Sequence, residues 1–273
     1  MEGRILNDNR SGMYGYKLKI KWLGVASFEL KKDGHHIITD PFITLNDNSP
    51  CTWENVDGCE LITITHVHWD HITDIPVLMR KYGNPPLLTG TLSALPLCTW
   101  GNLCPQSVYP MDSNLELDFD WVKVKALFGR HVTNNLTVNE QEPQLRRKPF
   151  VDRAMGDMQV LGSLEYRNFL FTFPDGVKLL VWGNDFLPIQ KNIVKELKPD
   201  IALLQATKQL KDPEGYVDFV KASEAKVVIP HHMDLAKPYD ECKSELMAMK
   251  EKIETACPGT EFIMPDYGKW IEL

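Results

Sequence analysis

The stretch Leu61–Asp74, "LITITHVHWDHITD", runs an apolar, β-branched segment directly into three histidines and two acids. Ile62–Thr65 reads as a strand, because β-branched residues favour a pleated, half-buried backbone. Carried on in extended geometry, His66 and His68 fall on one side, since side chains alternate with a period of two. Two imidazoles so placed reach one ion at the Zn–N distance of about 2.0–2.1 Å. Once the chain turns, Asp70 and His71 face a second position, so a single loop can serve two adjacent ions. With eight histidines in 273 residues, an H-x-H-x-D-H pattern arises by composition about once in two thousand such chains. The cluster is therefore read as metal-binding rather than as packed or surface histidine.

Working outward, "YKLKIKWLGVASFEL" reads as a strand pair, "KKDGHH" as a turn, and "HHIITDPF" as a strand ending at Pro41. After the cluster, Thr73 or Asp74 can cap a helix through "IPVLMRKY", with Pro76 in its first turn and Gly83 past its end. "LLTGTLSALPLCTWG" reads as strand plus helix and "LELDFDWVKVKALFG" as a strand pair. Val132 to Asp157 is polar, holds Pro143, Pro149 and Arg146-Arg147-Lys148, and shows no period, so it reads as a long excursion. From "FLFTFPDGVKLLVWG" onward, hairpin, helices and strands alternate. Mixed strands and helices favour sheet layers covered by helices, formed by residues 1–273 as a single domain.

The composition, 43% hydrophobic and 25% charged with a formal charge of −7, is that of a globular enzyme-sized chain. It argues against a nucleic-acid surface, which needs clustered Lys and Arg. No run reaches the roughly 18 apolar residues of a membrane helix, and the first residues lack a secretory pattern, so a cytoplasmic location is expected. The six cysteines form no C-x-x-C pair and are expected to be free thiols. A small-molecule substrate, no nucleic acid and no membrane are expected as partners, with homo-oligomerisation left open.

"THVHWDH" resembles the H-x-H-x-D-H signature of the metallo-β-lactamase superfamily, and "WLGVASFEL" followed by "HHIITDPFI" is similar to the opening of its lactonase-like branch, which includes L-ascorbate-6-phosphate lactonase. The resemblance implies an α/β fold, a four-layer αββα sandwich with a one- or two-metal site at one edge. It implies that His66, His68 and His131 hold one divalent ion and Asp70, His71 and His232 a second, with Asp185 between them. The Ile-Pro-x-His form selects His232 over His231. Two departures stand out: Val25 replaces a histidine common in the branch, and Gly183-Asn184-Asp185 replaces Gly-Asp-Thr. Asp185 is preferred over Asn184 because a carboxylate bridges two cations and a neutral amide does so poorly. Zinc is the first choice of metal, and Mn and Fe suit the same ligands.

Among the remaining candidates, Asp40 is read as a buried acceptor supporting the cluster loop or a solvated strand end. Trp69 either stacks on a substrate or packs against the sheet, and Arg130, Arg146 and Arg147 could meet an anionic group. His35 and His36 fit no chelate, and Ser27 and Cys51 have no visible base. The expected activity is hydrolysis of a lactone or related ester by a metal-activated water, with Asp70 orienting it or shuttling its proton. A phosphodiesterase or glyoxalase-type thioester hydrolase is the alternative. A di-iron redox role is disfavoured, because that branch carries glutamate at the His68 position. The reading from another class is a non-catalytic metal-binding protein.

Overall fold

The computed structural model describes residues 14–131, 153–183, 186–207, 210 and 213–273. Strand β1 (Leu18–Gly24) shows how the sheets are sided. Leu18, Ile20 and Trp22 enter the main core, while Lys19 and Lys21 point away, as the two-residue period of a strand demands. The same division marks β4 (Leu61–Thr63), where Leu61 joins the core between the sheets and Ile62 faces the helices on the other side.

Strands β2 (Ser27–Lys32), β3 (His35–Thr39), β5 (Leu87–Gly90), β6 (Val108–Met111) and the late strand β14 (Trp270–Glu272) complete the first sheet, in the order β14-β1-β2-β3-β4-β5-β6. The second sheet comprises β7 (Glu116–Asp118), β8 (Lys123–Phe128), β9 (Arg167–Thr172), β10 (Lys178–Trp182), β11 (Ile201–Gln205), β12 (Val227–His231) and β13 (Glu261–Phe262). Its order is β13-β12-β11-β10-β9-β8-β7. Both sheets are mixed, antiparallel from β14 through β1 and β2 to β3 and from β7 to β10, and parallel elsewhere.

Helices α1 (Trp69–Ile72), α2 (Ile75–Lys81), α3 (Ala94–Gly101) and α4 (Arg153–Leu164) lie on the first-sheet side, and Ile72, Ile75, Leu78, Leu97, Met155 and Met158 form a second core there. Helices α5 (Pro188–Leu197), α6 (Glu214–Ser223) and α7 (Tyr239–Ala256) cover the second sheet through Val194, Phe219, Leu246 and Ile253. This is the αββα sandwich of the metallo-β-lactamase fold. Because the parallel strands share a direction, the chain ends following β3, β4, β10 and β12 gather at one edge, the position where open α/β sheets place ligands.

Three local expectations need correction. The strand of the cluster stops at Thr63, because Thr65 N–H turns to the Asp40 carboxylate (2.7 Å) instead of a ladder. Asp74 occupies the cap position of α2 without capping it; its carboxylate accepts from Ile43 N, Thr44 N and Thr44 Oγ1 at 2.7–3.0 Å. Of the excursion expected over 132–157, residues 132–152 lie outside the described residues, and Arg153 opens a twelve-residue helix. All six cysteines are free thiols. Among the described residues no helix is long and apolar enough to cross a membrane.

Candidate metal centre

Six of the expected side chains meet at that edge as two adjacent triads. One nitrogen each of His66, His68 and His131 lie within 4.8 Å of one another, and ligand atoms of Asp70, His71 and His232 do the same. The triads touch through His66 and His71, whose ring centroids are 4.0 Å apart. His66, His68, Asp70, His71 and His232 are buried, and His131 is half-buried.

The group behind each imidazole fixes which nitrogen carries the proton. Thr65 Oγ1 has one hydrogen and gives it to Asp40 Oδ2 (2.8 Å), so at 3.1 Å from His66 Nδ1 it accepts. That leaves His66 Nε2 bare. His68 Nε2 faces the Gln159 carbonyl at 3.0 Å and Ser163 Oγ at 3.1 Å. A carbonyl only accepts, so Nε2 holds the proton and Nδ1 is bare. His71 Nδ1 lies 3.3 Å from Asp40 Oδ2, close enough for ion pairing though poorly aligned for a hydrogen bond. Thr207 Oγ1 donates to the His232 carbonyl (2.9 Å) and faces His232 Nδ1 at 3.4 Å. At His66, His71 and His232 the nitrogen opposite this partner is the one turned into the cluster.

These bare atoms are the fit test for a cation. His66 Nε2 is enclosed with no hydrogen-bond partner, a situation that costs about 1–3 kcal/mol when nothing compensates it. His71 Nε2 and His232 Nε2 stand 3.2 Å apart, with Asp70 Oδ2 at 3.7 and 3.2 Å from them. Lone pairs converging with a carboxylate suit a bound divalent ion, and the nitrogen and oxygen donors match Zn, Mn or Fe.

The electrostatics keep His66, His68, His131 and Asp70 in ligand form and favour the proton at His71. Burial, reinforced by the neighbouring histidines, holds His66 well below the usual histidine value, His68 at about 4 and His131 at about 3. Burial pushes Asp70 upward, but His71 and His232 outweigh it and hold the carboxyl well below the usual range. Burial lowers His71, yet Asp40 and Asp70 raise it above its ordinary value.

The cluster loop is pinned from both sheets. Asp40, buried and in a left-handed conformation (φ 40), accepts from Thr65 twice, and its own N–H donates to the Thr63 carbonyl (2.9 Å). The Thr65 carbonyl accepts from Arg167 N (2.8 Å) at the start of β9. His232 reaches the site because its φ of 66 turns the chain out of β12, and its N–H donates to the Val25 carbonyl at 2.8 Å. Val25 is itself in the left-handed region (φ 47), strained for a β-branched residue, and its N–H is held by the Asp234 carboxylate at 3.0 and 3.1 Å. At the position where the resemblance suggested a histidine side chain, it is the valine backbone that meets the site.

The remaining candidates separate clearly. His231 is turned away, with Nε2 3.2 Å from the Trp182 carbonyl. Trp69 is buried, edge-on to Phe42 at 4.9 Å. Arg130 is exposed next to His131. His36 is buried against Glu29 (2.6 Å) and His35 stacks on Trp121 at 4.5 Å, both away from the triads. Ser27 Oγ donates to the Asp40 carbonyl (2.6 Å). Asn184, Asp185, Arg146 and Arg147 lie outside the described residues. Sequence reading missed Thr207, Ser163 and the Gln159 carbonyl, which stand far from the cluster in sequence; Thr65, beside His66, could have been found from its hydroxyl alone.

Residues 19–232 match the family model described as a beta-lactamase superfamily domain. A UPF0173 metal-dependent hydrolase of Methanopyrus kandleri is 35% identical over 257 residues, covering 93% of this chain and all of that one. Another from Methanobrevibacter smithii is 29% identical over 261 residues, covering 93% of this chain and 97% of its own length. The solved structure of Igni18, a metallo hydrolase from Ignicoccus hospitalis, shares the fold with a TM-score of 0.68 at 20% identity, over 93% of this chain and 97% of that chain.

Proposed function

Since the chain belongs to the beta-lactamase superfamily domain family and to the UPF0173 metal-dependent hydrolases, we propose that it is a metal-dependent hydrolase acting on a lactone or related ester of a small metabolite. The observation that carries the hydrolase reading is the pair of adjacent triads whose bare nitrogens turn inward, with His66 Nε2 buried and unpartnered. The preference for a lactone or ester rests on the likeness of "WLGVASFEL" and "HHIITDPFI" to the lactonase-like branch.

His66, His68 and His131 would hold one divalent ion, and Asp70, His71 and His232 the other, with Asp185 as the shared carboxylate. Two such ions supply Lewis acidity, which brings the pKa of water toward neutrality and polarises the oxygen of a scissile carbonyl. The chain's own part is positional. Asp70, held ionised by His71 and His232, accepts a hydrogen bond from the attacking water and orients it. Asp40 and Thr65 keep His66 and His71 in their ligand tautomers. Arg130, exposed beside His131, would meet an anionic group on the substrate.

The test is metal content by plasma mass spectrometry on protein purified without chelator, followed by a panel of lactones, phosphodiesters and glutathione thioesters. About two equivalents of metal and turnover of lactones are expected, as a two-ion centre requires. A protein that takes up no ion even after reconstitution with Zn, Mn or Fe sinks the hydrolase reading. Preferential cleavage of a phosphodiester or thioester replaces the substrate class and leaves the centre standing.

A further inference from the structure

Tyr166, in the short turn between α4 and β9, is buried, and its ring lies against the His66 imidazole. It stacks on His66 with centroids 4.7 Å apart and planes 28° apart, and lies 6.3 Å from the His131 ring. Two glycines make room for it. A Cβ on Gly183 would stand 2.1 Å from the tyrosine hydroxyl, and one on Gly129 would stand 2.5 Å from its Cδ1. Gly129 is two residues before His131, and its N–H donates to the Tyr166 carbonyl at 3.2 Å.

Asn168, two residues further along β9 and buried, ties the same pieces together. Its Nδ2 donates to the Phe128 carbonyl at 3.1 Å, and its Oδ1 accepts from Gly183 N at 2.8 Å. The ends of β8 and β10 are therefore fixed to β9 both by backbone bonds and by a ring wedged between glycines. The Thr65 hydroxyl holds one edge of His66, and the Tyr166 ring lies across a face of the same imidazole, so the two contacts together fix its position and its plane.

We infer that Tyr166, braced by Asn168, is a positioning residue of the metal centre: its ring sets the plane of His66 and the distance at which His131 meets it. The inference rests on the metal-hydrolase reading and adds a group that acts on the ligands through its ring. A residue acting this way governs ion affinity and ligand geometry, whereas one that only fills the core governs stability.

Cobalt(II) titration separates these roles, read by equilibrium dialysis and by the d–d absorption bands, on the full-length parent, Tyr166→Phe, Tyr166→Leu and Gly129→Ala. Tyr166→Leu is expected to weaken one of the bound ions about 10–100-fold, the range found when outer supports of metal ligands are removed, and to shift its bands. Tyr166→Phe keeps the ring and is expected to restore the parent's affinity to within about threefold. Gly129→Ala leaves the tyrosine in place but pushes on its ring, and is expected to weaken the same ion. Parent-like affinity and bands in Tyr166→Leu overturn the inference, as does loss of folding in both the leucine and the alanine variants, which marks a core-filling residue. A parent that takes up no cobalt overturns the hydrolase reading itself, and the failure then lies in the parent and not in the variants.

Discussion

At the residue scale, the centre is built less by its histidines than by the acceptors behind them. Asp40 carries the largest share, since one buried carboxylate holds Thr65 N, Thr65 Oγ1 and the His71 ring. Asp40→Asn leaves one acceptor oxygen: with the amide nitrogen in place of Oδ2, both Thr65 Oγ1 and His71 Nδ1 lose their partner and the tautomers of His66 and His71 are no longer enforced, and with it in place of Oδ1, Thr65 N loses its acceptor and the loop is released. Metal affinity is expected to fall about 10–100-fold, measured by competition with a chelator of known strength. Unchanged affinity would mean that the Asp40 chain does not set the tautomers. The histidines and Asp70 were legible in sequence because their spacing is itself the chemistry. The tautomers were not, because Thr207 and the Gln159 carbonyl reach His232 and His68 only through the fold.

At the element scale, α4 is the piece that sequence reading passed over. Its buried positions Met155, Met158, Gln159 and Gly162 follow the i, i+3, i+4, i+7 spacing of a helix face. Two of the four are a polar residue and a glycine, so the stripe does not register as apolar. Both are there for His68: the Gln159 carbonyl takes its Nε2 proton, and Gly162 lets the helix backbone lie against its ring. A Cβ at Gly162 would stand 2.4 Å from His68 Cδ2, so Gly162→Ala must move the helix or the imidazole. Alanine stabilises an isolated helix over glycine by roughly 1 kcal/mol, yet here the expected result is weaker metal binding and faster amide exchange along α4. Tighter packing with unchanged metal affinity would show that the helix does not bear on His68.

At the scale of the whole molecule, burial of so many imidazoles couples the site to stability. His68 falls from 6.5 to about 4 and His131 to about 3, and His66 and His231 are also depressed by burial. Below pH 6.5 the unfolded chain therefore binds protons that the folded chain refuses, and stability falls as pH falls. His71, raised by Asp40 and Asp70, works the other way, one group against four. Chelator-treated protein is expected to lose urea resistance steadily from about pH 6.5 to pH 4, while above about pH 6.5 the raised His71 gives a shallower slope of the opposite sign. A flat profile would mean the cluster is hydrated rather than buried. The core between the sheets gives a separate check: Phe171→Ala, at a fully buried β9 position, is expected to cost about 3–5 kcal/mol without changing the number of ions bound.

The sequence by itself determined the alternation of strands and helices, the sidedness of strands such as β1, and the cluster from His66 to His71, because these depend on residues a few positions apart. It also picked His232 over its neighbour through a pattern resemblance. Only the tertiary structure decided that Val25 serves through its backbone, that Trp69 packs on Phe42, and that α4 and Tyr166 brace the histidines. Those outcomes depend on contacts between segments about 30 to 210 residues apart, such as His232 N–H with the Val25 carbonyl and His68 with Gln159. Local propensity carries no record of such distances; the packing of two sheets and their helices creates them.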